Sequence, residues 1–389
     1  MFRFLTAGES HGRALTAVIE GVPAGIPLDE DYIARDLKRR QGGYGRGGRM
    51  KIEQDRAEVL SGVRHGLTMG SPISLLLWNR DWENWRDVMA IAAAEKAIEP
   101  VTRLRPGHAD LPGTVKYGQK DVRPILERAS ARETAARVAV GAVARRLLEE
   151  FGVEIRSHTV AIGGVWADTK DSQNVDWEQV EESPVRCGDS EAERKMMAAI
   201  DEAKEAGDSV GGVFQVVASG VPIGLGSHVQ WDRRLDGKVA GALMSINAVK
   251  GVEIGAGFSL ANLRGSQAHD IIQYDSAERQ WRHTSNRAGG VEGGMTNGEP
   301  IVANAVVKPI PTLGKPLPSA DLKTGETVQA HVERADACVV PAAGVIGEAM
   351  VAIVLADAVL EKFGGDHIRE TLRNCQGYLE TTGKQSGDV

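Results

Sequence analysis

The chain has 389 residues and 41.6 kDa, 42% hydrophobic and 25% charged. These proportions suit a globular protein and exclude a disordered, collagen-like or membrane-spanning chain. The 46 Lys and Arg against 53 Asp and Glu give a net charge of −7, which argues against a general nucleic-acid binder. The charge is uneven, however. Residues 1–150 hold 19 Arg but only 5 Lys, and Arg offers a rigid fork matched to phosphate and carboxylate. The three cysteines, Cys187, Cys338 and Cys375, are far apart and in no metal-type spacing. No disulfide framework or metal site is expected, and a reducing, cytoplasmic setting is. The opening MFRFLTAGESHG has no long apolar run and no cleavage pattern, so no signal peptide is expected.

In chain order, Val- and Ile-rich runs predict strands at Pro72–Trp78, Val153–Gly163, Val210–Val217 and Ile301–Val307. A first helix is predicted over Ser130–Phe151, with Val140, Val143, Leu147 and Phe151 on one face. Ser130 and Glu133 fit a capping box at its start. Asp171–Asp208 carries 12 acids against four bases and reads as a solvated, surface-facing segment. A second helix is predicted over Gly237–Lys250, with Val239, Leu243, Ile246 and Val249 inward and Gly251 as a stop. A third spans Pro341–Phe363, stopped by Gly364 and Gly365. Its apolar residues cover more than one stripe, so it reads as a buried core helix and not a membrane span. The tail after Tyr378 is polar and expected to fray. Helices and strands without a regular βα alternation give an α+β class. No Pro/Ser-rich linker divides residues 1–389, so one domain is expected.

Five segments can carry chemistry. Gly8-Glu9-Ser10-His11-Gly12 is a tight turn that presents an imidazole; the alternative is a surface His in a turn. Arg35–Arg56 holds eight bases and three acids, with glycines between them. Gly43, Gly45 and Gly48 satisfy G-x-G-x-x-G, but a charged, helix-like run precedes them, which rejects a dinucleotide fingerprint. The segment is either a mobile solvated loop or a flexible basic lid in which Arg40, Arg46 and Arg49 grip an anion. Arg103-Leu104-Arg105-Pro106-Gly107-His108-Ala109-Asp110 places a second His after a Pro-Gly turn, between cations and a carboxylate. Arg128-Ala129-Ser130-Ala131-Arg132-Glu133 joins a hydroxyl and two arginines at a helix start, an anion site as well as a cap. In the C-terminal half, Asn286–Gly298 has two Gly-Gly pairs, Lys308–Thr312 offers a cation and a hydroxyl, and Asp336 precedes the third helix, where a carboxylate is stabilised or acts as a cap.

Taken together and in order, GESHG, RRQGGYGRGGRM, RPGHAD, RASARETAARVAVG, GSHVQWDRRLDG, LMSINAVKGVEIG, NRAGGVEGGMTNG, KPIPT and RADACVVPAAGVIGEAM make the chain resemble the chorismate synthase family from Phe2 to Asp366. The resemblance implies a β-α-β sandwich, helices between antiparallel sheets, in a homotetramer. It implies conversion of 5-enolpyruvylshikimate 3-phosphate to chorismate and phosphate, the last shikimate-pathway step, with reduced FMN and no net redox change. His11 resembles the His that protonates the departing phosphate, with Ser10 beside it. His108 resembles the His set against the flavin, Asp336 the Asp that helps remove the ring proton, and Ser130 an active-site serine. Arg40, Arg46, Arg49 and Arg132 look like substrate-anion ligands, the first two alternatively a pyridine-dinucleotide phosphate site. Arg128, Ala129, Ser130, Asn247, Ala248, Gly293, Lys308, Pro309, Ile310, Pro311, Thr312 and Arg334 look like the FMN shell. Ala335 and Arg287 depart from the family pattern, and neither removes a catalytic group.

No metal, nucleic acid or membrane partner is expected. Reduced flavin is expected from an external source, with NADPH at most an indirect reductant, since no reductase module is visible. A flavin reductase and an RNA-binding module are the competing readings; the acidic composition disfavours the second.

Overall fold

The computed structural model describes residues 1–47, 54–93, 97–168, 175–277, 280–332 and 336–382. The N-terminal part forms a four-stranded antiparallel sheet from β1 (Arg3–Ala7), β2 (Ala14–Glu20), β3 (Glu58–Ser61) and β4 (Ile73–Trp78), in the order β1-β2-β4-β3. Alternation sets its faces: Leu15, Ala17, Ile19, Ile73, Leu75 and Leu77 are buried, as the period of two requires. On the other face Leu5, Val18 and Trp78 are exposed.

A second antiparallel sheet contains β5 (Glu154–Ile162), β6 (Val165–Trp166), β7 (Gly212–Ser219), β8 (Val249–Ile254) and β9 (Ile301–Val307), in the order β8-β9-β7-β5-β6. Helices α1 (Glu30–Gln41), α2 (Asp110–Tyr117), α3 (Arg123–Ala129), α4 (Thr134–Glu149), α5 (Ser190–Glu205), α6 (Leu235–Met244), α7 (Val340–Phe363) and α8 (Ile368–Thr382) complete the parts used below. α4 packs on β2 and β4 of the first sheet, α7 on β5 and β7 of the second, and α4 against α7. The result is the α+β sandwich, with paired helices between two antiparallel sheets.

Small residues make that pairing possible. A Cβ on Gly141 of α4 would lie 2.3 Å from the Cβ of Ala349 on α7, and one on Gly347 would lie 2.6 Å from the ring of Phe214 on β7. Buried on nearly all sides, α7 has no polar face, and Gly364 (φ 60°) ends it.

Its one central acid, Glu348, is wholly buried. Arg39 donates to it at 2.7 and 2.9 Å, Arg145 at 2.6 Å and Ser157 at 2.6 Å. One carboxylate thus ties α1, α4, α7 and β5 together. Burial pushes its pKa up, but Arg39 and Arg145 outweigh burial and hold it at about 2.

Several sequence expectations need correction. The first helix is preceded by a 3-10 turn at Ala131–Glu133 and ends at Glu149. Ser130 accepts from the Arg132 N–H, but Glu133 pairs with Arg137 at 2.9 Å, so no capping box forms. The second helix ends at Met244; Val249 opens β8, and Gly251 lies within that strand. Ile246 and Val249 are still buried, so the right residues face inward in a different conformation. Within Asp171–Asp208, α5 buries Ala192, Met196, Ile200 and Ala203 beneath its acidic face. The chain after Tyr378 continues as helix α8 to Thr382.

Glu348→Ala would remove the wholly buried carboxylate that Arg39 and Arg145 share, leaving them to Asp36 and Glu181. The expected loss is about 3–5 kcal/mol, the usual cost of breaking a buried pair, read from urea unfolding. Because the folded pKa of about 2 lies below the unfolded value of about 4.3, the wild-type contribution is complete above that value and disappears as pH falls towards 2. An unchanged unfolding midpoint in the variant would contradict this account.

Candidate active site

The N-terminal ends of α4 and α7 both open into one cleft of about 490 Å³. The helices are 16 and 24 residues long, so two positive dipole ends favour anions there. The remaining walls come from Gly107–Ala109, Ile246–Lys250 and Lys308–Thr312. Val339, Ala342, Ala343 and Ile346 of the α7 end supply an apolar wall.

His11 sits in the turn between β1 and β2. Its Nδ1 lies 3.0 and 3.1 Å from the two carboxylate oxygens of Glu127 on α3, and its backbone N–H donates to Glu127 at 2.7 Å. Trp85, in the short helix Trp82–Trp85, stacks on the imidazole at 3.9 Å between centroids. Arg123 donates to Glu127 at 3.3 Å and lies over the Trp85 ring. Ser130 Oγ donates to Ser10 Oγ at 3.1 Å, beside His11.

His108 has a parallel arrangement. Its Nδ1 is 2.5 Å from Asp110 Oδ1. Arg105 grips the same carboxylate through Nε at 2.9 Å and Nη2 at 3.0 Å. Burial pushes the Asp110 pKa up, but bonds from His108 and Arg105 overcome it and hold the carboxyl well below its usual range. Asp110 therefore remains ionised, an acceptor facing His108 Nδ1, which Arg105 Nη2 also approaches at 2.9 Å.

Asp336 faces the same cleft four residues ahead of α7. It accepts from the Gly47 N–H at 2.5 Å and pairs with Arg46 at 3.2 Å. It does not cap α7, whose cap position is Val339. Gly45 approaches so closely that a Cβ would lie 2.8 Å from Ile200, and the Ala337 N–H donates to its carbonyl. Gly43 (φ 111°) and Gly45 (φ 83°) thus serve positive φ and close packing.

Two arginines are buried at the α4 end. Arg132 donates to both oxygens of Asp55 at 2.6 Å and to Asn79 at 3.0 Å. Arg40 donates to Thr134 at 3.0 Å and to the Ala131 carbonyl at 2.9 Å, with Asp55 3.6 Å away. Burial lowers the Arg40 pKa to about 10; Asp55 opposes this, while Arg46 and Arg132 add to it. Lys308 donates to the Gly107 carbonyl at 2.5 Å, and Asn247 to the Ala129 carbonyl at 3.1 Å.

The cleft thus gathers Ser10, His11, Arg40, Arg46, His108, Ala129, Ser130, Arg132, Asn247, Ala248, Lys308, Ile310, Pro311, Thr312 and Asp336. Three expected residues are not among its walls. Arg128 turns outward to the carbonyls of Gly8 and Thr6. Gly293 forms the tip of the hairpin Val291–Thr296, which bonds to the start of α6 through the Gly294 carbonyl. Pro309 lies between two lining residues without lining the cleft itself. Arg49 and Arg334 lie outside the described residues.

The family model for chorismate synthase matches residues 2–360. The chain belongs to the chorismate synthase family. The chorismate synthase of Moorella thermoacetica is 59% identical over 98% of this chain and 100% of its own length. That of Geobacter sulfurreducens is 56% identical over 98% and 99%. A crystal structure of chorismate synthase superposes with a TM-score of 0.80 at 46% identity, covering 98% of each chain.

Sequence reading missed the supports of this chorismate synthase site. Glu127, Trp85, Arg123, Asp55 and Asn79 gave no motif signal. Glu127 stands one residue before the Arg128–Glu133 segment, and its i,i+4 spacing from Arg123 is plain in the sequence. Nothing local linked either residue to His11, 116 positions away from Glu127.

Asp55→Ala removes the carboxylate held by Arg132 and facing Arg40. We expect a loss of about 3–5 kcal/mol, the usual cost of breaking a buried ion pair, read from thermal unfolding. A variant as stable as wild type would show that Asp55 does not offset these arginines.

Proposed function

We propose that the chain catalyses the 1,4-elimination of phosphate from 5-enolpyruvylshikimate 3-phosphate, giving chorismate and inorganic phosphate. This is a carbon–oxygen lyase reaction closing the shikimate pathway, carried out by one catalytic unit over residues 1–389 in the cytoplasm. One observation carries the reading. Two histidines on buried carboxylates and the aspartate Asp336 share one cleft with Arg40, Arg46, Arg105, Arg132 and Lys308. A substrate with one phosphate and two carboxylates needs that cationic lining. It also needs one group that gives a proton and another that takes one.

His11 gives a proton to the departing phosphate oxygen, which makes phosphate the better leaving group. Asp336 takes the ring proton once Arg46 turns from it to the substrate. Arg40 and Arg132, fixed by Thr134, the Ala131 carbonyl and Asp55, hold the anionic end without reorganising. Ser10 and Ser130 add hydroxyls beside His11.

The residues present also fit reduced FMN. Asn247 Oδ1 is buried with no hydrogen-bond partner among the described residues, an acceptor suited to a ring N–H. The Lys308–Thr312 segment and the apolar α7 end supply a cation, a hydroxyl and a surface for a flat ring. Reduced FMN, when bound, supplies electron density to an elimination at an unactivated C–H, with no net redox change. His108, held by Asp110, steadies the negative charge beside it. Reduced flavin comes from outside the chain, with NADPH as an indirect reductant. A homotetramer is supported by the exposed apolar face of the first sheet, where Leu5 is 74% and Leu60 59% exposed.

The test is an anaerobic mixture of protein, chemically reduced FMN and 5-enolpyruvylshikimate 3-phosphate, followed by chorismate absorbance and free phosphate. Equal release of both, absent with oxidised FMN, is the expected result; no product would defeat the reading. His11→Ala, His108→Ala and Asp336→Asn should each lower turnover by about 10²-fold or more, with circular dichroism unchanged. Wild-type turnover in any of the three removes that residue from the mechanism.

A further inference from the structure

His11 has two ring nitrogens, and the chemistry proposed for it depends on which one meets the cleft. Nδ1 is turned to Glu127, 3.0 and 3.1 Å from its two oxygens. Glu127 is wholly buried, with its side chain 0% exposed. Arg123 donates to the same carboxylate at 3.3 Å, which keeps a cation beside it. An ionised carboxylate only accepts hydrogen bonds. The ring nitrogen facing it must therefore carry the hydrogen.

The ring has little freedom to turn away. The backbone N–H of His11 is bonded to Glu127 Oε2 at 2.7 Å, so one carboxylate grips the residue at two points. Trp85 lies 3.9 Å over the imidazole, with the planes 26° apart. Arg123, 5.2 Å from the Trp85 ring, backs that ring, so the stack, the carboxylate and the cation form one closed group. No hydrogen bond to Nε2 is found among the described residues, which leaves Nε2 as the position that exchanges a proton with the cleft.

We propose that Glu127 is the positioning residue of His11: it fixes the Nδ1–H tautomer and the ring plane, so that Nε2 alone gives the proton to the substrate. The inference deepens the proposed function and rests on the role assigned there to His11. Glu127 acts through His11 and need not touch substrate. Asp110 also faces the Nδ1 of His108 from a different helix, but there Arg105 Nη2 lies 2.9 Å from the same nitrogen, so the two histidines are held in different ways.

The first measurement uses the wild-type protein with ¹⁵N-labelled histidine, at a pH where His11 is neutral, with His11→Ala assigning the signal. A protonated Nδ1 and a bare Nε2 are expected. A protonated Nε2 overturns the inference without touching the reaction assignment, because the resting protein is observed. Conversely, a wild-type chain that makes no chorismate sinks the reaction assignment and leaves the tautomer as found.

Kinetics supply the second measurement. Glu127→Gln should lower kcat by roughly 10–100-fold, less than the 10²–10⁴-fold that a positioned acid itself supplies, while KM changes less than threefold. Glu127→Asp should restore part of that loss. Placed in the His11→Ala background, Glu127→Gln should have no further effect, since its role passes through the missing ring. A merely structural Glu127 would lower turnover equally in both backgrounds, and that result would overturn the proposal. If Glu127→Gln does not fold, the wild-type tautomer decides alone.

Discussion

The close contact between α4 and α7 sets the rest of the molecule in place. Gly141 and Ala349 leave no room for another carbon between the helices, and each helix buries its outer side on a different sheet. With their middles in contact and both N-terminal ends at the cleft, the helices run side by side in the same direction. Two partial positive charges are thereby aimed at one volume. The anion-favouring character of the site is thus a property of the backbone before any side chain is considered.

Charge handling in the core follows from that packing. Helices this deeply buried bring the arginines of their neighbours into low-dielectric surroundings, where each needs a carboxylate. Glu348 answers Arg39 and Arg145, and Asp55 answers Arg132. The arginine bias of the first 150 residues therefore has two origins. Arg39 and Arg145 belong to the sandwich itself. Arg40, Arg46, Arg105 and Arg132 reach the cleft, and each is already bonded to the protein. Counting arginines pointed to anion recognition, but the count alone did not separate framework from site.

Regular periodicity made much of the fold legible. The strand at Ile301–Val307 was found to the residue, and the buried helix before Gly364 to within one. Misjudgement fell where two conformations bury the same side chains. Ile246 and Val249 fit a helical stripe but lie beyond the helix, because the chain turns at Ala248 with φ 67°. The cleft residues were legible only as an ordered set of motifs, each ambiguous by itself. Glu127, Asp55 and Trp85 lay outside those motifs, since partners as far off as 77 and 116 positions leave no local pattern. Arg128 shows the opposite failure: it lies inside a motif, yet its guanidinium secures β1.

The missing side chain at Gly141 also limits how the site can change. The cleft lies between the α4 and α7 ends, and the helices are held at close contact where Gly141 meets the Ala349 methyl. A larger residue at Gly141 would push the helices apart and loosen the sandwich. A narrower or differently shaped pocket has to come from the rim, through Gly107–Ala109, Ile246–Lys250 and Lys308–Thr312. Any attempt to make this scaffold accept another anion therefore has its useful variation in those three loops, with the helix pair acting as a fixed gauge.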